Sequence, residues 1–541
     1  MRVIAPALLF LALPLGCVDD GPRARDVRQS LPRDARQSLP RDARQPLPGS
    51  AAPPPPTGQV ASAEPAAPSA APAADTPPPD LRPRIGSVRW LTYIWPTPAR
   101  PKDQLPIGSI RYGTSLPLRS PDPVPGSGCD TKWYAVEPMG YVCADSTTTR
   151  DFDSPYWKAL SSVAPGPGPW PYRYAFSTGA PMYTRVPTKA EQEAAERDLG
   201  PLRTFKSLGK WSEGHERLVS TDPADAIQPT GDVPELFKDH KSIPGSPWHP
   251  GAKPNIRFVP NGSGFSYVRA FAAEGRTWLL TPELLLVPAD RAFPYKRDTF
   301  RGAELGGDLQ LPLAWVRGEK VAKHRRETDG AFKPTEDAWT GKVPVALTGN
   351  EVVAGKVRYH ETKEAGIWIP ETNDVSVVKL APKLPQTVGP DEKWLDARLL
   401  PGTMVAYVGL KPVWTTLWSG GKGGVPVPGG DPKQDATTEL GTFAFQWKDK
   451  VATMSPDKGP VTVFWFADVP NIHYVKAPLA MHVSYWHADF GFLRSAECLN
   501  LSAQDGEWLF GWTLPALPEG WGSVRPSKLT GPSTKIVIRA R

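Results

Sequence analysis

Proline sets the first limit on how this 541-residue chain folds. Many of its 66 prolines lie in the first hundred residues, whereas nearly all of its 20 tryptophans lie beyond them. From Arg25 an eight-residue unit occurs three times, and Ala/Pro-rich sequence continues to about Arg84. Each unit contains a proline and alternating charge, and none has an apolar face to bury. Residues 18–84 are therefore predicted to form a disordered tether, and a core can form only after them.

The first residues indicate export. A positive start at Arg2 is followed by an apolar run over residues 3–15, which is too short to cross a bilayer as a helix and is typical of a signal peptide. The end of this run, Leu15-Gly16-Cys17, resembles a bacterial lipobox, in which the cysteine is diacylated and becomes the mature N-terminus. We expect a cell-envelope protein, anchored to a membrane through lipid on Cys17 and facing the periplasm. An ordinary cleaved signal, with Cys17 incidental, is the alternative.

The chain beyond the tether is predicted to be mainly β, because short strand-like runs alternate with Gly, Pro and Asp turns. Three stretches share a pattern of a tryptophan-bearing strand, a turn and a second strand, at residues 132–143, 277–287 and 366–378. This weak repetition suggests two or three small β-barrel modules in series, over residues 85–150, 151–300 and 301–390. The second module carries a helical insertion, since Thr188 and Glu191 form a capping-box signature before residues 190–199.

Tyr93-Ile94-Trp95 and then Ile107-Gly-Ser-Ile-Arg111 precede the tryptophan strand of the first module, and in this pattern the module resembles the bacterial Src-homology type of small β-barrel. In envelope proteins such modules usually bind wall peptide or glycan, although a role as a spacer fits the sequence equally well. The net charge of +7 is small for this length and is partly due to the tether, so no nucleic-acid partner is expected. His215, His240 and His249 are scattered without metal-ligand spacing, and no metal site is predicted.

The four cysteines divide into three groups. Cys17 belongs to the export signal. Cys129 and Cys143 lie 14 residues apart in a strand-like segment, which in an oxidising compartment predicts a disulfide worth about 3 kcal/mol. Cys498 is left over, and an odd cysteine in an exported protein is either a small buried apolar group or a nucleophile.

The last part of the chain has its own pattern of elements. A β-hairpin is predicted over residues 402–419, followed by a Gly-rich loop at 420–424 and an apolar strand at 461–466. The block at 479–501 then contains two histidines and the odd cysteine. Ser502 and Asp505 form an N-terminal helix signature directly after it.

This block resembles the active-site segment of the L,D-transpeptidase catalytic domain, the YkuD family. The family signature is a histidine, a glycine nine residues on, and a Ser-x-Gly-Cys loop whose cysteine lies sixteen residues after the histidine. His482, Gly491, Ser495 and Cys498 fall in that register. The resemblance covers residues 395–525 and implies a β-sandwich with a short helix after the cysteine loop.

The resemblance implies a peptidoglycan L,D-transpeptidase. In that family the cysteine attacks the diamino-acid carbonyl of a wall tetrapeptide stem, expels D-alanine and passes the acyl group to an amine of a second stem. His482 would take the thiol proton, and backbone N–H groups near Cys498 would hold the oxyanion, at about 3 kcal/mol each. Ser484 and Ser495 would position these groups, and no metal or organic cofactor is required.

The cysteine loop departs from the family at one position that matters. Most members have Ser-His-Gly-Cys, and this chain has Ser495-Ala496-Glu497-Cys498. Glycine permits backbone angles that Glu497 resists at a cost of about 1–2 kcal/mol, and a carboxylate beside the thiol raises its pKa. Two hypotheses follow: an active transpeptidase with an altered loop, and an inactive wall-binding scaffold. A third, an unrelated cysteine hydrolase, requires another histidine partner.

Three further residues have two interpretations each. His487 either packs in an aromatic cluster or supports the site, and packing is the favoured interpretation. Met454 and Tyr474 fall where relatives have a substrate lid, and core packing is favoured for both.

Overall fold

The computed structural model describes residues 82–89, 91–199, 215–240, 255–454 and 465–541. The export signal, Cys17 and residues 18–81 of the tether lie outside these ranges, as do His249 and residues 461–464 of the predicted apolar strand. The last residue of the predicted tether, Arg84, begins the first strand. Short strands joined by turns dominate the described chain, which confirms the prediction of a mainly β protein. Within these ranges, no helix is both long enough and apolar enough to span a bilayer.

The elements of the first two modules are numbered in chain order. The first module contains strands β1 (Arg84–Ser87), β2 (Leu91–Ile94), β3 (Gly108–Arg111), β4 (Ser115–Pro117), β5 (Trp133–Ala135), β6 (Tyr141–Cys143) and β7 (Thr148–Thr149). The second contains α1 (Pro155–Ser161), β8 (Arg173–Ser177), β9 (Ala180–Tyr183), α2 (Lys189–Glu196), β10 (Asn255–Val259), β11 (Gly264–Tyr267), β12 (Arg269–Ala273), β13 (Arg276–Leu280), β14 (Leu286–Pro288) and β15 (Ala292–Pro294). Short 3-10 helices lie at His215–Arg217, Pro223–Asp225, Glu235–His240 and Ala289–Arg291.

The third module and the C-terminal domain continue the numbering. The third module spans β16 (Ala303–Glu304), β17 (Leu313–Val316), β18 (Lys320–Arg326), β19 (Phe332–Thr340), β20 (Val343–Ala354), β21 (Val357–Thr362), β22 (Trp368–Pro370) and β23 (Val375–Val378). The C-terminal domain contains β24 (Lys393–Arg398), β25 (Thr403–Val408), β26 (Lys411–Leu417), α3 (Pro432–Asp435), β27 (Gly441–Ala444), β28 (Trp447–Met454), β29 (Phe466–Lys476), β30 (Leu479–Val483), β31 (Leu499–Leu501), α4 (Ala503–Trp512), β32 (Ser523–Val524) and β33 (Lys535–Arg539).

A ten-stranded sheet joins regions that the sequence divides into separate modules. Its main path runs β15-β8-β11-β29-β28-β32-β3-β2, and β30 and β31 branch from β29. The first module supplies β2 and β3, the second supplies β8, β11 and β15, and the C-terminal domain supplies the rest. The described strands therefore form open sheets instead of the closed barrels expected from the sequence, because strands of the first two modules complete a sheet of the C-terminal domain.

A second sheet of the C-terminal domain has the order β16-β26-β25-β24-β33-β27. Apolar side chains from both sheets and from α4 form one buried cluster, which includes Trp414, Trp418, Met481, Leu499 and Leu509. This arrangement is a β-sandwich with a helix after β31, as predicted. Strand β33 lies parallel to β24, so the sandwich takes a strand from beyond residue 525, where the predicted domain ends.

The third module forms a seven-stranded sheet of order β19-β18-β22-β21-β20-β17-β23. Its Trp315 packs with Trp394, Tyr407 and Phe490 of the C-terminal domain, and the Trp315 indole donates to Thr415 Oγ1 at 3.2 Å. In the first two modules the tryptophan strand pairs with the strand after it, β5 with β6 and β13 with β14. In the third module β22 and β23 are not neighbours, so the repetition does not extend to its pairing.

The helix caps, the hairpin and the disulfide predicted from local sequence motifs are all present in the structure. Thr188 caps α2 through a reciprocal capping box with Glu191, although the helix ends at Glu196. Ser502 caps α4 by accepting from the Asp505 N–H. The hairpin is formed by β25 and β26, and a disulfide joins Cys129 to Cys143 with Cα atoms 5.8 Å apart.

One buried carboxylate connects the first module, the second module and the C-terminal domain. Asp468, on β29, is fully buried and accepts from Arg111 of β3 at 2.5 Å and from Ser266 of β11. Tyr174 of β8 donates to its backbone carbonyl at 2.8 Å. A buried charge is tolerated only when it is paired and hydrogen-bonded. The bonds from Arg111 and Ser266 to Asp468 therefore fix the positions of β3 and β11 relative to β29.

We predict that Asp468→Ala destabilises the protein by about 3–5 kcal/mol, because it leaves the Arg111 guanidinium buried without its carboxylate. Asp145→Ala is the matched control, since Asp145 pairs with Arg100 at a partly exposed site and accepts two hydrogen bonds from Thr147, and its loss is expected to cost about 1–2 kcal/mol. Urea denaturation gives both values, and equal losses for the two variants would contradict the prediction.

Candidate active site

The structure brings the predicted nucleophile and the predicted base to neighbouring strands. Strands β30 and β31 are parallel, with His482 opposite Asn500. Cys498 directly precedes β31 and is half-buried, and its thiol lies 3.8 Å from the carbonyl oxygen of Pro478, at the start of β30. The cysteine therefore sits beside the strand that carries the histidine.

A chain of hydrogen bonds runs from the loop after β30 to His482. The Asp489 N–H donates to Nδ1 of His487 at 3.3 Å, so the His487 proton is on Nε2, which donates to Oδ1 of Asn500 at 3.1 Å. The Asn500 amide then donates from Nδ2 to Nε2 of His482 at 3.2 Å. Nδ1 of His482 donates to the Val483 carbonyl at 2.9 Å.

This chain assigns one tautomer to His482. Because Nδ1 of His482 carries the proton and donates it in a hydrogen bond to the Val483 carbonyl, Nε2 is the nitrogen that can accept a second proton. Burial lowers the pKa of His487 to about 4, so that ring stays neutral near pH 7 and keeps the direction of the chain. His487 thus packs among aromatic rings, as favoured, and also orients His482 through Asn500.

The cysteine loop is held by side chains and by the Gly-rich loop. Ser495 Oγ donates to the Cys498 carbonyl at 2.5 Å, which ties the two ends of the loop together. Thr438 Oγ1 accepts from the Gly421 N–H at 2.9 Å and donates to the Glu497 carbonyl at 2.7 Å. The residues that position the backbone next to the thiol are therefore Ser495 and Thr438.

Glu497 does not carry the strain expected from the sequence. Its backbone is not among the described residues with positive φ, so the loop takes a conformation there that side chains accept. The predicted cost of 1–2 kcal/mol is therefore wrong for this structure. The replacement of the family's glycine by Glu497 therefore acts through charge, because it places the carboxylate of a half-buried residue directly before Cys498.

The loop between His487 and Ser495 is fixed by arginines from other parts of the chain. Gly491 has φ +96°, a conformation that favours glycine, and its carbonyl accepts from Arg317 of the third module. The buried Asp489 carboxylate pairs with Arg217 of the second module and with Arg494, whose Nε lies 3.0 Å away. Two modules outside the predicted catalytic domain thus hold the loop that starts the hydrogen-bond chain.

Ser484, Met454 and Tyr474, the remaining residues singled out in the sequence, contribute to strand pairing and to the core. The Ser484 N–H donates to the Leu501 carbonyl at 2.9 Å, and its buried hydroxyl has no partner in the described chain. Ser484 therefore fixes the end of β30 through its backbone. Met454 and Tyr474 are buried in the core cluster against which Cys498 packs.

His215 approaches this site although the sequence assigned it nothing. Its Nδ1 is hydrogen-bonded to the Tyr295 hydroxyl at 2.9 Å, and its ring packs against Phe466. Burial, with smaller contributions from His487 and Lys422, lowers its pKa to about 3. Asn500 was also missed, and its place in the Cys-x-Asn segment beside His482 was the available signal. Within the described ranges, no three His, Cys, Asp or Glu side chains cluster closely enough to hold a metal ion.

No protein-family model and no curated protein matches the chain. Among solved structures, an L,D-transpeptidase from Xylanimonas cellulosilytica is similar at 19% identity and a TM-score of 0.19, over 29% of this chain and 64% of that one. An L,D-transpeptidase from Mycobacterium smegmatis has 18% identity, a TM-score of 0.21 and coverages of 36% and 82%. The catalytic domain of an E. faecium L,D-transpeptidase has 17% identity, a TM-score of 0.20 and coverages of 27% and 97%. At these values the likeness carries no weight for the chemistry, which rests on the residues of the site.

The buried His215 predicts a pH dependence of stability. The unfolded histidine has a pKa near 6.5, so below that pH the unfolded chain binds a proton that the folded chain does not. The free energy of unfolding should fall as the pH is lowered from 7 to 5, and His215→Gln should reduce that slope, leaving the share due to His473 and His487, whose pKa values burial also lowers. Tyr295→Phe is the control and should keep the slope, because His215 stays buried. Equal slopes for wild type and His215→Gln in urea denaturation would contradict the account.

Proposed function

We propose that this protein is a peptidoglycan L,D-transpeptidase that works through an acyl-enzyme on Cys498. The observation that carries the proposal is the hydrogen-bond chain from His487 through Asn500 to His482, which prepares a base beside the strand that follows Cys498. The motif register from His482 to Cys498 supports the same reaction.

The first step forms the nucleophile. A thiol near pH 7 is mostly protonated, so Cys498 needs a base to become a thiolate. Nε2 of His482 accepts the proton, and the Val483 carbonyl stabilises the resulting imidazolium through Nδ1–H. The Asn500 amide, which donates to Nε2 at rest, must release it for this step.

The thiolate then attacks the diamino-acid carbonyl of a wall tetrapeptide stem. The tetrahedral intermediate collapses with cleavage of the amide bond, and the D-alanine amine leaves with a proton from His482. An amine of a second stem attacks the thioester, a new amide forms, and the thiol is regenerated with its proton. Backbone N–H groups of the loop held by Ser495 and Thr438 stabilise both oxyanions.

We also propose that the protein acts in the cell envelope as a lipoprotein. The apolar run at residues 3–15 and the lipobox-like Leu15-Gly16-Cys17 support this location, and residues 18–84 would hold the folded part away from the membrane. This location gives access to wall stems, which are the substrate of the proposed reaction.

A carbapenem adduct tests the proposed nucleophile. We expect intact-mass spectrometry to detect one covalent adduct on the wild type and none on Cys498→Ser. His482→Ala should slow its formation by about 10²–10⁴-fold, the usual loss for a missing general base.

Two results would point elsewhere. A Cys498 that reacts with a maleimide but forms no carbapenem adduct would favour the inactive wall-binding scaffold. The carboxylate of Glu497 beside the thiol is the observation that favours this alternative. An undiminished rate in His482→Ala would favour an unrelated cysteine hydrolase that uses another histidine.

The charge of Glu497 should shift the reactivity of Cys498 with pH. A carboxylate next to the thiol disfavours the thiolate, so Glu497→Gln is predicted to move the alkylation profile with iodoacetamide to lower pH. Glu364→Gln is the matched control, because Glu364 pairs with Lys323 in the third module and should leave the profile in place. A profile for Glu497→Gln that overlays the wild type would contradict an electrostatic effect of this carboxylate.

A further inference from the structure

The second module contains a cavity that the proposed reaction does not use. Its volume is about 330 Å³, within the range of sites for small ligands. It lies beside the start of β8 and the ends of β11 and β15. Six residues line it: Trp170, Arg173, Tyr174, Tyr267, Tyr295 and Arg297. Aromatic walls and two guanidinium groups make up this lining.

The two arginines are available to a ligand. Both are exposed, and neither pairs with a carboxylate of the described chain. Arg173 lies opposite Tyr267 across β8 and β11, and Arg297 stands over the Trp170 ring at 5.7 Å. Burial raises the pKa of Tyr267, and the guanidinium charges of Arg173 and Arg297 oppose that rise.

The floor of the cavity is fixed by bonds to the rest of the protein. Tyr174 donates to the Asp468 carbonyl and stacks on Tyr485 with ring centroids 3.9 Å apart. Tyr295 is hydrogen-bonded to His215 and lies edge-on to Tyr485. Tyr485 therefore lies behind the floor of the cavity, and its ring packs against Trp486, whose ring centroid is 5.8 Å from that of His482. This aromatic floor is therefore ordered before a ligand binds, which reduces the side-chain entropy lost on binding.

The chemistry of the lining selects a ligand class. Guanidinium groups pair with the planar carboxylate by two parallel hydrogen bonds, and aromatic walls favour an organic ligand over a bare ion. We propose that this cavity binds a free carboxylate of a wall stem peptide, so that the second module supplies part of the substrate site. The identity of the peptide rests on the proposed function.

Calorimetric titration of the full chain carrying Cys498→Ser tests this inference, because binding is then measured without turnover. The probe is a synthetic stem tetrapeptide with free carboxylates, compared with the same peptide fully amidated. We expect the free acid to bind at least tenfold more tightly, and Arg173→Gln with Arg297→Gln to remove that preference. Arg325→Gln, at an exposed arginine of the third module, removes one charge elsewhere and should leave binding unchanged.

Tyr267→Phe gives a second, milder variant, which removes only the phenol hydroxyl and should weaken the free acid several-fold. Equal binding of the acid and the amide, or unchanged binding by the double arginine variant, would overturn the inference. Absence of peptide binding in the Cys498→Ser chain would overturn it as well. The carbapenem adduct on the wild type decides the proposed function separately, since it reports on Cys498 and needs no stem peptide.

Discussion

The buried carboxylate of Asp468 is the constraint on which the described structure depends. It lies on β29, the strand that pairs with β28, β30 and β11, and it is neutralised by Arg111 from the first module. Since β30 carries His482 and pairs with β31, the geometry of the base depends on where β29 is held. Because the buried Asp468 carboxylate has to be paired and hydrogen-bonded, the ion pair with Arg111 allows one arrangement of the first module against the C-terminal domain. Apolar contacts alone would be less specific.

The same logic applies to the loop beside the active site. Asp489 begins the hydrogen-bond chain through its backbone N–H, and its carboxylate is held by Arg217 and Arg494. Arg317 holds the carbonyl of Gly491 two residues later. The second and third modules therefore hold the loop from which the hydrogen-bond chain to His482 starts.

Sequence reasoning predicted what is local and what is carried by a motif. The caps at Thr188 and Ser502, the hairpin of β25 and β26, and the relation of His482 to Cys498 depend on residues close together in the chain or on a known register. The pairing of Arg111 with Asp468 spans 357 residues and has no local signal. The roles of Asn500 and His487 depend on the parallel register of β30 and β31, and the strain expected at Glu497 depended on a backbone angle that the residue type does not fix.

Release of D-alanine from a stem tetrapeptide tests the central claim most directly, that Cys498 is a nucleophile served by His482. The wild-type chain, incubated with the tetrapeptide and an acceptor amine, should release one D-alanine for each new amide formed, and Cys498→Ser should release none. Release of D-alanine by Cys498→Ser at the wild-type rate, or its absence from a wild type that binds the peptide, would contradict the account.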